Sequence, residues 1–231
     1  GHLDTFHGYG IQHFFDVDPR FGTREDLVAL VEAAHNRGMQ IVLDIIFNHS
    51  GFNWVYPRGL KEPPYKPFPD QYLFGSWLGR NGEEIGAHVA DLDAGVWPTE
   101  LQSIECYTRA GVGSLGDGSL DDANAEHKRT DFFTLRDFAL SSRGILDHLA
   151  ACYRYWIALS DCDGFRIDTL KHVSFEEGRN FCGAIKEFAA NLGKTNFLLV
   201  GEVAGGDFAQ DRYLDVLGRN LDAALDIGGM R

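Results

Sequence analysis

The stretch Asp163-Gly164-Phe165-Arg166-Ile167-Asp168-Thr169-Leu170-Lys171-His172 decides the fold. It is a short apolar run that ends in a burst of charge, as a buried strand does where it reaches a sheet's rim. Arg166 and Asp168 are two apart, so on a strand both side chains point to the same side. An arginine beside an aspartate favours the charged carboxylate, the state a nucleophilic acid needs. Alone, such a pair is ordinarily a structural ion pair.

The flanking sequence alternates between strand and helix patterns. Thr23 reads as a helix N-cap with Glu25 and Asp26 in the first turn. Leu27, Leu30, Val31 and Ala34 recur at helical spacing, and Gly38 closes the helix. Met39 to Phe47 is a nearly unbroken apolar run carrying Asp44, the pattern of a buried parallel strand. Ser142 to Ser160 is helical, and Gly164–Ile167 is the next strand. Ser174 and Glu177 form a capping box for a helix carrying Phe181, Ile185, Phe188 and Leu192, stopped by Gly193. Asn196 to Val203 is a strand, Asp207 to Leu217 a helix, and Leu221 to Ile227 the start of another strand.

Residues 49–136 break this rhythm with Pro63-Pro64, Pro67 and Pro69 and with Gly- and Asp-rich pieces near 111–122. Pro98 to Thr108 is the one helix candidate there. So long a structureless loop is improbable inside a compact domain, which makes this an inserted subdomain. The expected division is 1–48 and 137–231 for the main α/β domain and 49–136 for the insertion.

Alternating strands and helices indicate an α/β fold with a parallel sheet. Polar clusters follow three strands: Asn48-His49, Asp168 to His172, and Glu202. Sites in such folds form at the carboxyl ends of strands. Asp168 and Glu202 end successive strands, and neighbouring strands lie roughly 4.8 Å apart. Their carboxylates could then stand about 5–5.5 Å apart, the retaining-glycosidase separation. Arg166 would keep Asp168 charged. The apolar run Phe197-Leu198-Leu199-Val200-Gly201 would desolvate Glu202 and favour its protonated form.

With 231 residues, 44% of them hydrophobic, the chain can bury a sizeable core. Its net charge of -13 argues against nucleic-acid and anionic-membrane partners. It suits a neutral substrate and hard cations. No apolar run approaches membrane-spanning length. Cys106, Cys152, Cys162 and Cys182 match no metal or redox spacing and are expected to be small buried residues. A free-cysteine pattern leans towards a cytoplasmic setting.

Three segments together resemble the α-amylase superfamily, glycoside hydrolase family 13. Asp44-Ile45-Ile46-Phe47-Asn48-His49 is similar to its first signature, Gly164 to His172 to its second, and Gly201-Glu202-Val203 to its third. His7-Gly8-Tyr9 and Val17 to Thr23 resemble its segment around the second barrel strand, and the long insertion falls where the family carries domain B. The resemblance implies a (β/α)8 barrel and a retaining α-glycosidase acting on α-linked glucans or oligosaccharides. It implies roles too: Asp168 as nucleophile, Glu202 as general acid/base, and Arg166 as the group orienting the nucleophile. Tyr9, His49, Lys171 and His172 would bind sugar, with Asp44 supporting from behind. Asn48 and the His172 carbonyl would hold a calcium ion, with Asp117, Asp121 or Asp122 adding oxygens. No organic cofactor is implied.

Two departures stand out. His13 occupies a position where the family often has Asp. Only the third to sixth barrel strands and a remnant of the second are legible; the first, seventh and eighth, and the fourth signature, are not. Gly1 is no initiator methionine. The expectation is therefore a central fragment of a longer enzyme, a partial barrel with little activity of its own. A transglycosylase, a trehalose- or sucrose-acting relative, and a non-catalytic carbohydrate-binding scaffold remain as alternatives.

Overall fold

The computed structural model describes residues 7–116, 122–142, 144–203 and 218–225. The expected helix at Asp207–Leu217 lies outside them, as does the end of the expected strand beyond Leu225. The chain forms two compact units: Gly1–Phe14 with Phe47–Ile145, and Phe15–Ile46 with Leu146–Arg231.

The described elements, in chain order, begin with α1 (Arg24–His35), β1 (Val42–Ile45), β2 (His49–Ser50), β3 (Trp54–Val55), β4 (Ser76–Leu78), β5 (Glu84–Gly86) and β6 (Arg136–Asp137). They continue with α2 (Ile145–Ser160), β7 (Gly164–Ile167), α3 (Phe175–Asn191), β8 (Leu198–Glu202) and β9 (Ala223–Leu225).

The second unit is built on a four-stranded parallel sheet in the order β1-β7-β8-β9. Its local signals act as read. Thr23 and Asp26 form a full capping box at α1, and Ser174 and Glu177 form one at α3. Gly38 and Gly193 adopt φ of 70° and 83° after their helices, a conformation that favours glycine. Phe165, Ile167 and Leu199 of the sheet, Leu149 and Ile157 of α2, and Phe181 and Ile185 of α3 are all buried. Tyr153 of α2 packs edge-on against both Phe165 and Phe181, and its hydroxyl bonds the backbone of Ile46. That bond ties the helix layer to the end of β1.

The strand expected at Met39–Phe47 is shorter and less buried than its composition implies. Met39 and Val42 are exposed, and β1 is an edge strand of the described sheet. All four cysteines are free and buried, as expected.

The first unit holds a three-stranded antiparallel sheet, β3-β4-β5, and the pair β2-β6. Its core is aromatic: Trp54, Tyr56, Trp77, Tyr107 and Phe138 are buried in mutual ring contact. The helix expected over Pro98–Thr108 is instead two 3₁₀ turns, Thr99–Leu101 and Ile104–Cys106. Ser103 separates them in an extended conformation, and its side chain accepts from Glu105 N. A serine that bonds its own neighbouring backbone competes with helix propagation.

Arg136 and Asp131 form a wholly buried ion pair at 2.9 Å. Arg136 also donates to the carbonyls of Trp54 and Lys61, and the Tyr56 hydroxyl donates to Asp131 at 2.5 Å. Burial pushes the Asp131 carboxyl up, against the pull of Arg136. Nothing in the sequence pattern marks this network.

Candidate active site

Register places the site's charges. Asp44 of β1 is the partner of Arg166 on β7, and Val200 of β8 is the partner of Arg166 on the other side. Side chains alternate along a strand, so Asp44, Arg166, Asp168, Val200 and Glu202 fall on one face of the sheet. Three carboxylates thereby converge on one guanidinium. Arg166 Nη1 donates to Asp44 Oδ1 at 2.8 Å and to Asp168 Oδ1 at 2.6 Å, and Nη2 donates to Glu202 Oε2. Burial alone would lower the Arg166 pKa, but the bonds and charges of Asp44 and Asp168 raise it overall.

Asp168 is buried and lies just past the end of β7; its backbone N–H reaches across to the Ile45 carbonyl at 2.9 Å. Thr169 then turns with φ of 52°, in the left-handed region, and its buried Oγ1 has no hydrogen-bond partner. Strained residues of this kind cluster at functional sites. The 3₁₀ turn Leu170–His172 follows, carrying Lys171 and a buried His172. Arg219, fully buried, holds the exit of this turn by donating to the carbonyls of Val173 and Ser174 and stacking on Phe175. Sequence reasoning missed Arg219, since an arginine after Gly218 reads as a surface residue.

Glu202 titrates from a raised position, near 7 rather than 4.5. Burial is the largest cause; hydrogen bonding to Asp168 and the charges of Asp168 and Asp44 add to it, while Arg166 opposes. The desolvation expected from the sequence is present, and crowding by like charge reinforces it. A carboxyl poised near neutrality can both give and take a proton.

The other expected residues belong to the first unit. His49 is buried on β2 and stacks with Phe132. Asn48 donates to Asp137 Oδ1 at 2.9 Å, a partner not anticipated from the sequence. Tyr9 is half-buried and stacks on His7. His13, the departure from the family pattern, stacks with Trp97.

Calcium requires six to eight oxygen ligands. Asp117 and Asp121 lie outside the described residues. Asp122 is committed to its own turn, its Oδ1 accepting from Asn124 N and its carbonyl from Lys128 Nζ. Among the described residues no group of three or more His, Cys, Asp or Glu could hold a metal ion. No chemical step below uses a calcium ion.

The chain matches the family model "Alpha amylase, catalytic domain" over residues 2–216, and it belongs to that family. It is 29% identical to an α-amylase of Streptomyces lividans over 96% of its length, covering 25% of that protein. It is 27% identical to a trehalose synthase/amylase of Mycobacterium tuberculosis over 86% of its length, covering 29% of that protein. An acarbose-complexed α-amylase structure from Geobacillus thermoleovorans superposes with a TM-score of 0.59 at 25% identity, over 96% of this chain and 38% of that one. The fold is shared also with a cyclomaltodextrin glucanotransferase, at a TM-score of 0.65 and 23% identity, over 95% of this chain and 38% of that one. The chain thus spans between a quarter and two fifths of the length of these relatives.

Proposed function

We propose that this chain carries the nucleophile and the general acid/base of a retaining α-glycosidase acting on α-linked glucans or oligosaccharides. The observation that carries this reading is the pairing of Asp168 with Glu202 across β7 and β8, bridged by Arg166, with Glu202 held near 7.

In the first step Asp168 attacks the anomeric carbon and its bond to the leaving oxygen breaks. Glu202 gives its proton to that oxygen, and a glycosyl ester forms on Asp168. In the second step Glu202, now a carboxylate, takes a proton from water. The water oxygen displaces Asp168, which leaves as a carboxylate. Arg166 holds Asp168 in line and offers its guanidinium to either acid when charged. Asp44 fixes Arg166 from β1 and adds negative charge that favours the protonated form of Glu202. Lys171 and His172, on the turn after Asp168, are read as contacting sugar hydroxyls. His49 and Tyr9 are read as further sugar-binding groups.

The parallel sheet is read as the third to sixth strands of a (β/α)8 barrel, with residues 49–136 as its inserted domain. Calcium at Asn48 and the His172 carbonyl stays a reading from the family alone. The name of one relative, a trehalose synthase/amylase, supports a sugar acceptor as a second outcome of the same chemistry. In that case a sugar hydroxyl replaces water in the second step.

The test is the anomeric configuration of fresh product. Full-length protein is mixed with maltoheptaose and the first released sugar is followed by NMR. Double displacement predicts the α-anomer first. Release of the β-anomer first, by single displacement, would contradict the assignment of Asp168 as nucleophile.

A further inference from the structure

Thr169 directly follows Asp168 and carries two costs at once. Its φ of 52° lies in the left-handed region, where a β-branched residue is a genuine outlier. Its Oγ1 is buried with no hydrogen-bond partner, and a buried polar atom left unpaired is destabilising. Glycine or asparagine would adopt this backbone with less strain. Costs of this kind persist only where the surrounding structure over-determines the conformation.

Here the chain is anchored on both sides of Thr169. Before it, the Asp168 N–H donates to the Ile45 carbonyl at 2.9 Å, and the Asp168 carboxylate accepts from Arg166 Nη1 at 2.6 Å. After it, the Thr169 carbonyl accepts from His172 N at 2.9 Å and closes the turn. Leu170 is fully buried and packs closely on β8: a Cβ on Gly201 would stand 2.5 Å from its Cδ2. Gly201 immediately precedes Glu202. Arg219 fixes the far end of the turn by donating to the carbonyls of Val173 and Ser174, at 2.6 and 3.2 Å. The left-handed step at Thr169 therefore joins two anchored stretches, one holding the nucleophile and one resting on the strand of the acid.

We propose that Thr169 is a positioning residue, whose left-handed backbone holds Asp168 in register with Glu202 at the expense of stability. The proposal rests on the reading of Asp168 as nucleophile and Glu202 as acid/base. Thr169 touches neither reacting atom; it acts through the peptide that follows Asp168. Glycine at this position would also reach other φ values, so the carboxylate would no longer be confined to one place. Asparagine keeps a Cβ and tolerates the left-handed region, so it should retain the geometry and shed part of the strain.

The test measures Tm and maltoheptaose turnover in full-length wild type, Thr169→Gly and Thr169→Asn. The expected Tm is above wild type for Thr169→Asn and no lower than wild type for Thr169→Gly. The expected kcat falls about 10- to 100-fold in Thr169→Gly, the scale of a small misplacement of a reacting group, with little change in KM. Thr169→Asn recovers most of that loss. A residue with a purely structural role would instead lose stability and activity together. Wild-type kcat in Thr169→Gly overturns the positioning role and leaves the catalytic reading intact. Equal loss of kcat in both variants overturns the role of the backbone, and a lower Tm in both overturns the strain. A wild-type protein without turnover overturns the catalytic reading, and the positioning role with it.

Discussion

Asp44 and Arg166 are register partners on adjacent parallel strands, and Arg166 Nη1 donates to Asp44 Oδ1 at 2.8 Å. Arg166 is therefore not the private partner of Asp168. It is the hub of three carboxylates, and Asp44 shapes the titration of Glu202 through charge alone. Replacing Asp44 with Asn removes one negative charge and lowers the pKa of Glu202. The alkaline limb of the kcat/KM–pH profile in full-length protein is expected to move to lower pH, with the enzyme still active. An unmoved limb would show that Asp44 has no electrostatic hold on Glu202.

Glu202 itself sets a sharper expectation. As the acid it must be protonated for the first step, so kcat/KM should fall as pH rises through about 7. Glu202→Gln should lower turnover of an unactivated maltooligosaccharide by about 10²–10⁴-fold, the usual worth of general acid–base catalysis. A glucan with a good leaving group needs less help and should lose less in its first step. Equal losses for both substrates would count against proton donation by Glu202.

The same group links stability to pH. Its folded-state pKa is raised from 4.5 to about 7, so folding takes up a proton between these values. Stability contributed by this group is present below about 4.5 and is lost as pH rises through about 7. Glu202→Gln should thus raise Tm relative to wild type at pH 8, with the gain fading at pH 4 to 5. A Tm difference independent of pH would mean that Glu202 is not strained by its surroundings.

Gly201 is a packing requirement next to the acid. A Cβ there would stand 2.5 Å from Leu170 Cδ2 and 2.7 Å from Leu221 Cδ1. Both leucines are buried, and Leu170 opens the turn after Asp168. Gly201→Ala is expected to cost about 1–3 kcal/mol by overpacking. It should lower kcat more than it raises KM, because it displaces the turn behind the nucleophile. Wild-type stability by denaturant titration would show that the leucines yield freely.

Arg136 and Asp131 give a prediction in the other unit. Arg136→Met leaves Asp131 buried and without its cation, which breaking a buried pair makes costly, about 3–5 kcal/mol. Asp131→Asn together with Arg136→Met should recover much of that loss. A double variant as unstable as the single one would mean that Arg136 acts through its bonds to the Trp54 and Lys61 carbonyls rather than through its charge on Asp131.

Much of the second unit was legible in the sequence because its rules are local. Capping boxes, stop glycines and apolar runs mark α1, α3, β7 and β8. The Arg166–Asp168 contact follows from strand alternation. The exposure of Val42 was not legible, because burial depends on what covers a strand and not on its composition. In the first unit the Arg136–Asp131 pair and the aromatic core join residues far apart in sequence with no periodic signature. The convergence of Asp44 on Arg166 depended on register between strands over a hundred residues apart, which no single segment encodes. Arg219 escaped for the same reason, being buried by tertiary packing alone.

The most direct test is covalent. Full-length protein is incubated with a fluorinated glucosyl reagent that forms the glycosyl ester quickly and hydrolyses it slowly, then digested and mapped by mass spectrometry. The account predicts one added glucosyl group on the peptide containing Asp168, none in Asp168→Asn, and a slower label in Glu202→Gln. An active protein that labels at another carboxylate, or not at all, would contradict it.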